Sequence, residues 1–190
     1  MPATALDPKT ALVVIDLQKG LSNYPCVHPF QGVVGNTARL AQAFREQGLP
    51  VVLVTVAFSP DGADRLATRT DAPARAFAAG PDFFELVPEL AGHAGDLRII
   101  KRQPNAFYGT ELDLQLRRRQ VTGIVLTGIS TSVGVDSTAR AAHERGYNLT
   151  FASDAITDVD AASHELILKK MFPRLGETDT TDAVLALLRR

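Results

Sequence analysis

The chain has 190 residues, 45% of them hydrophobic, which is enough for one sizeable core and does not require a second domain. Twenty lysines and arginines stand against twenty-one aspartates and glutamates, a formal charge of -1, which excludes the overall basic field that draws a protein to nucleic acid or an anionic membrane. One cysteine makes no intrachain disulfide, no apolar run approaches the roughly 20 residues that span a bilayer, and MPATALDPKTALVVIDLQ lacks a basic leader region, so the expectation is a cytoplasmic protein with a small-molecule partner.

In chain order, ALVVID (11–16) is a continuous apolar run with the length of a strand buried on both faces. Val33, Val34, Thr37, Leu40, Ala41 and Phe44 then recur at helical spacing, with Gly48 as the stop. VVLVTV (51–56) repeats the strand pattern. Residues 57–93 break the rhythm: they are rich in Ala, Pro, Gly and Asp and carry Arg65, Arg69 and Arg75 without a period. A segment of that length reads as a lid or subunit contact, or equally as plain surface loop. LRIIK (97–101), GIVLTG (123–128) and NLTFAS (148–153) predict further strands. Leu112 and Leu116 mark a helix, Val133 to Arg145 another closed by Gly146, and Leu166 to Phe172 another before Pro173. Thr178 to Thr181, rich in capping residues, precede a terminal helix over AVLALL. The alternation predicts one domain over 1–190: a three-layer, doubly wound α/β sandwich, Rossmann-like, with an open, mainly parallel sheet of about six strands.

In such sheets ligands bind outside the carboxyl ends of the strands, where loops and helix N-termini converge. Three polar features fall there: Asp16 after the first strand, Lys101 after LRIIK, and the turn TGISTSVGVDSTARAA (127–142) after GIVLTG. An acid at a core edge is costly unless paired or used. Singly, Asp16 is equally a turn former and Lys101 a solvated strand end; together with a glycine-containing turn they form a site candidate. Within the turn, Gly128 gives freedom to bend, Ser130, Thr131 and Ser132 offer hydroxyls, and the amides around Gly134 can stabilise an oxyanion. The alternative is an ordinary helix start capped by one of those hydroxyls.

LVVIDLQKG, IIKRQPNAFYGTEL and VLTGISTSVGVDSTARAAHERGYNLTFASDAITD together resemble the isochorismatase-like hydrolases, which include nicotinamidases and N-carbamoyl amidases. The family pattern at the turn, Gly-x-x-Thr-x-x-Cys-Val-x-x-Thr-x-x-x-Ala, is matched by Gly128, Thr131, Val135, Thr138 and Ala142. The resemblance implies that Asp16 and Lys101 are the catalytic acid and lysine, that Gly134 stands where the amidases carry their cysteine, and that Phe107 helps wall the pocket. Such a glycine looks like that of the isochorismatases proper, which hydrolyse a vinyl ether without a covalent intermediate. The expected activity is therefore acid-catalysed hydrolysis of a vinyl ether or related bond, with burial raising the Asp16 pKa against the pull of Lys101.

Gln18 is a second candidate substrate contact, and the three arginines of 57–93 candidate anion contacts. The alternative chemistry is amide or ester hydrolysis from a displaced nucleophile, Ser130, Thr131, Ser132 or Cys26; none of these has an evident histidine base beside it in the sequence. A non-catalytic small-molecule-binding homologue is the third reading. No metal is expected, because His28, His93, His143 and His164 lack zinc-ligand spacing, and no cofactor, because Gly20, Gly32 and Gly35 form no dinucleotide fingerprint. The resemblance also implies a homo-oligomer, dimer or tetramer.

Overall fold

The computed structural model describes residues 2–71, 80 and 82–189. Six strands, β1 (Thr10–Ile15), β2 (Val51–Val56), β3 (Leu97–Lys101), β4 (Gly123–Ile129), β5 (Asn148–Thr157) and β6 (Glu177–Asp179), form one sheet in the order β3-β2-β1-β4-β5-β6. Every neighbouring pair is parallel. Among the described residues five α-helices cover the faces: α1 (Phe30–Glu46), α2 (Leu112–Arg118), α3 (Asp136–Glu144) and α4 (Ala161–Leu166) lie in the connections β1–β2, β3–β4, β4–β5 and β5–β6, and α5 (Thr181–Leu188) follows β6. The expected doubly wound sheet is therefore observed.

The pattern of β1 follows from this burial. Ala11, Val13 and Ile15 pack with Leu112 and Leu116 of α2 and Ala139 and Ala142 of α3. Leu12 and Val14 pack with Val33, Leu40 and Phe44 of α1 and Val184 of α5 on the other face. A strand covered on both sides needs apolar residues at both parities, so its sequence is a continuous run rather than an alternation. Each large side chain so buried contributes about 2 kcal/mol, against about 0–1 kcal/mol for an exposed ion pair; the two clusters, not the surface charges, hold the layers together.

Several elements run differently from the sequence-based expectation. The third helix is divided: Thr131–Val135 form a π turn, and α3 starts only at Asp136. The fourth begins earlier, at Ala161, because the Asp160 side chain caps the Ser163 amide. It then continues through a π turn, Ile167–Met171, into a short 3-10 turn. β5 extends past Ser153 to Thr157. Gly128 does not end its strand. It sits in β4 at φ +117, and a Cβ there would lie 2.0 Å from the Ile15 carbonyl oxygen, so the close approach of β4 to β1 requires glycine.

Within 57–93, residues 83–87 lie along 17–20: Lys19 and Gly20 donate to the Glu85 and Phe83 carbonyls, and Val87 donates to that of Leu17. Leu86, Val87 and Leu90 are buried, so this part belongs to the core and not to a lid. Residues 72–79, including Arg75, fall outside the described residues. No helix among the described residues is long and apolar enough to cross a membrane.

Candidate active site

The strand order reverses between β1 and β4, which opens a crevice at their carboxyl ends. Asp16 stands at its edge. Its amide donates to the Val54 carbonyl at 3.0 Å, and its φ of 54° lies in the left-handed region, which aspartate tolerates better than most residues. Lys101 ends β3, two strands away, or roughly 10 Å across the sheet at about 4.8 Å per strand. Its long stem crosses the end of β2 and brings Nζ to 2.7 Å from Asp16 Oδ2. Both side chains are buried, and Asp16 Oδ1 has no hydrogen-bond partner among the described residues. Burial pushes the Asp16 carboxyl above its ordinary value; the charge and hydrogen bond of Lys101 and the nearby Val56 amide oppose this but are outweighed.

Gly134 closes the site from the β4 side. A Cβ built there would lie 3.0 Å from Ile15 Cγ2, 3.3 Å from the Ile129 carbonyl oxygen and 3.4 Å from Asp16 Oδ2. Position 134 thus faces the carboxyl at contact distance and presents neither thiol nor hydroxyl.

The turn bearing Gly134 follows a cis peptide between Ile129 and Ser130. The Ser130 carbonyl accepts from Val133 and Val135 at 3.1 and 3.0 Å. Ser132 donates both its amide and its hydroxyl to Asp158 Oδ2, each at 2.7 Å. Thr131 Oγ1 lies 2.7 Å from His164 Nδ1. None of the three turn hydroxyls caps a helix, contrary to the ordinary helix-start alternative. Three turn amides, those of Ser132, Val133 and Val135, are committed within the protein, which narrows the expected oxyanion cradle.

Gln18 and Phe107 take other places than expected. The Gln18 side chain is fully buried: its amide nitrogen donates to the Val56 and Phe84 carbonyls at 3.0 and 2.9 Å, and its oxygen accepts from Val56 at 2.8 Å. With both N–H groups committed to backbone, it is a strut between strand ends and not a donor to substrate. Phe107 packs 5.9 Å from the Tyr147 ring and under the Arg145 guanidinium. Those partners follow the far end of α3, about 15 Å from Gly134 at about 1.5 Å per residue, so Phe107 is a core aromatic there.

A cavity of about 360 Å³ adjoins Lys101, walled by Val56, Phe58, Leu66, Pro104 and Val133. Arg65 also lines it, with its guanidinium 5.0 Å from the Phe58 ring. Arg102 lies beside it and pairs with Asp64 at 2.5 Å, whereas Arg69 is simply exposed. Among the described residues no three His, Cys, Asp or Glu side chains converge to hold an ion.

The Isochorismatase domain family matches residues 10–183. The chain belongs to the isochorismatase family of hydrolases. It is 46% identical over 179 residues to YwoC of Bacillus subtilis (strain 168), an uncharacterized isochorismatase family protein, with 93% of each chain covered. An isochorismatase family protein from Burkholderia thailandensis superposes with a TM-score of 0.94 at 43% identity over 98% of each chain. The N-carbamoylsarcosine amidase of Thermoplasma acidophilum superposes with a TM-score of 0.71 at 26% identity, covering 92% of this chain and 97% of that one.

Two residues of this isochorismatase-family site escaped the sequence reading. Asp158 stands directly after β5, and His164 lies on α4; between them they hold Ser132 and Thr131. The signal for Asp158 was the one used for Asp16, an acid at the carboxyl end of a buried strand. Cys26 sits nearby in sequence space to His28 but is partly buried against the α1 cluster. Burial, with the charge of Asp158 added, pushes its thiol up and keeps it protonated, the wrong form for a nucleophile.

Proposed function

We propose that this chain hydrolyses a vinyl ether or related bond of a small molecule, with Asp16 as general acid, Lys101 as its charge partner and water as the attacking group. Asp16 donates its proton to the vinyl carbon, leaving an oxocarbenium ion. Water adds to that cation, the hemiketal collapses to a ketone and an alcohol, and the proton released by the water returns to Asp16. Both electrons of the broken C–O bond leave with the alcohol oxygen, and no enzyme nucleophile is required.

The observation that carries this reading is Asp16 itself: a buried carboxyl whose pKa is held up by burial, with Oδ2 on Lys101, no hydrogen bond to Oδ1 among the described residues, and in front of it a glycine at a position where a Cβ would lie 3.4 Å from Oδ2. A carboxyl that keeps its proton to higher pH than usual suits a general acid. Gly134 is, on this reading, the family's cysteine position. The cavity beside Lys101 has walls suited to a compact, largely apolar substrate body.

Amide hydrolysis is the second reading, favoured by the likeness to N-carbamoylsarcosine amidase. On this reading Thr131 is the displaced-nucleophile candidate with an imidazole nitrogen in reach, His164 Nδ1 at 2.7 Å, although its side chain is fully buried, while the Ser132 hydroxyl is held by Asp158. Pyruvate release from enolpyruvyl ethers, measured beside ammonia release from N-carbamoyl amides, divides the two. The ether reading expects pyruvate from the native protein and none above background from Asp16→Asn, a loss of about 100-fold or more, with the folded state retained. Ammonia release alone, or full activity in Asp16→Asn, overturns it.

A further inference from the structure

The turn that carries Gly134 is held from two sides by side chains outside it. Asp158, at the end of β5, takes both the amide and the hydroxyl of Ser132. His164, on α4, meets the hydroxyl of Thr131 at 2.7 Å, and both of these side chains are buried. The second anchor is a titratable ring whose other nitrogen, Nε2, is buried without a partner among the described residues. His28 stands edge-on to it, ring centroids 5.0 Å apart and planes at 86°. The His28 Nδ1 lies 3.0 Å from the Ile156 carbonyl, which only accepts, so that nitrogen carries a proton.

We infer that His164 is a positioning residue for the Asp16 site, and that its neutral imidazole holds the turn 130–135 through Thr131 whereas the protonated ring releases it. A neutral imidazole has one donor and one acceptor nitrogen, so either tautomer can pair with the Thr131 hydroxyl and leave a single atom unsatisfied. The imidazolium has two donors and a charge. Among the described residues only Thr131 is in place to accept, so protonation buries a charge with one N–H unpaired, and the ring relieves this by moving toward solvent with the turn it holds.

The groups facing His164 decide where this happens. His28, from the loop before α1, disfavours the charged ring; Asp158, from the end of β5, and Glu165, beside it on α4, favour it. Burial is the largest influence and also disfavours charge, so the His164 pKa lies below its ordinary 6.5. The native state thus takes up this proton less readily than the unfolded chain. Turn order and stability are intact above about pH 6.5 and are eroded as pH falls through the lowered native value.

The geometry at Gly134 makes such movement matter, because the turn faces Asp16 so closely that a Cβ at position 134 would lie 3.4 Å from Oδ2. A displacement of about 1 Å in a catalytic wall is enough to cost on the order of 100-fold in rate. That consequence for turnover rests on the proposed role of Asp16; the coupling of His164 to the turn does not.

An NMR titration of the labelled full chain from pH 8 to 4.5 tests the coupling without any substrate, following the His164 ring together with the Thr131 and Gly134 amides. The expected result is one shared midpoint below 6.5. In His164→Asn, whose side-chain amide can still meet the Thr131 hydroxyl but takes up no proton, the shared step disappears. His28→Gln removes the neighbouring ring that disfavours the charged form of His164, so the His164 midpoint rises and the Gly134 midpoint rises with it; this variant decides the matter if His164→Asn does not fold. A Gly134 amide that does not move at the His164 midpoint, or that titrates unchanged in His164→Asn, overturns the inference. The pH dependence of pyruvate release is read alongside: failure of all turnover in the native protein counts against the ether reading, while the amide titration still decides the role of His164.

Discussion

The two ends of the sheet differ in a way that cleft size does not reveal. At the amino end lie two clefts of about 460 Å³ each, larger than the cavity of about 360 Å³ beside Lys101. Yet the polar groups lining the larger clefts answer one another. Asn148 donates to Asp7, Thr4 donates twice to Glu177, and Arg45 forks onto Asp96 at 3.1 and 2.6 Å. At the carboxyl end, Asp16 Oδ1, Asp136 Oδ1 and His164 Nε2 are buried without partners among the described residues. Every other such side-chain atom is a threonine hydroxyl. An unmade bond on a buried polar group costs about 1–3 kcal/mol, which folding alone does not recover. Clefts are left over wherever elements meet; a buried acid or imidazole with one atom left unpartnered is the stronger pointer to a candidate site.

The largest effect that sharpens this contrast is expected from Lys101→Met. Removing one member of a buried pair typically destabilises by about 3 kcal/mol, because the other charge is left uncompensated. Asp16 escapes that cost by staying protonated, since Lys101 is what pulls its pKa down. The native pKa then stands still further above the unfolded value, and stability is lost as pH rises through it. Thermal unfolding from pH 4 to 8 is therefore expected to show the variant losing stability toward pH 8 more steeply than the native protein. A pH-independent deficit would mean that the pair does not control the Asp16 proton.

Gly134→Ala comes next. The added methyl is 3.0 Å from Ile15 Cγ2 and 3.4 Å from Asp16 Oδ2, so the turn must yield by a few tenths of an ångström. Helix propensity favours alanine by about 0.5–1 kcal/mol and partly offsets the crowding, so stability changes little. Turnover is expected to fall about tenfold or more, because the methyl takes space directly before the acid. Equal kcat in the two proteins, measured as pyruvate release, would show that this face of Asp16 is not where substrate stands.

Much of this end was legible from the sequence for a physical reason. A central parallel strand under two helical layers must be apolar throughout, so Asp16 directly after LVVI is conspicuous, whereas Lys101 closes a half-exposed edge strand and becomes a candidate only together with Asp16 and the turn; the sheet type says which end of each strand to inspect. The π turn, the Gln18 strut and the position of Phe107 were not legible. Gln18 next to Asp16 looks like a pocket residue; only the three-dimensional path of residues 83–87 shows that backbone groups consume its amide. Phe107 follows the lysine strand closely, but its ring direction is set by Tyr147 and Arg145, forty residues on in the chain. His164 was invisible because its partner, Thr131, is supplied by a different layer of the fold.

The smallest effect tests the quiet end. Glu177 accepts the Thr4 amide on Oε2 and the Thr4 hydroxyl on Oε1, both at 2.8 Å and both exposed. In Glu177→Gln the side-chain oxygen still accepts the amide, and the new NH2 group donates to the hydroxyl, which can turn to accept. The number of bonds is kept and only charge assistance in a solvated place is lost, about 0.5 kcal/mol at most. For a chain of this length that is a shift of about 1–2 °C in Tm. Turnover is expected to equal that of the native protein. A tenfold change would mean that the larger cleft shares in catalysis, and the argument from unpaired buried groups would have picked the wrong end of the sheet.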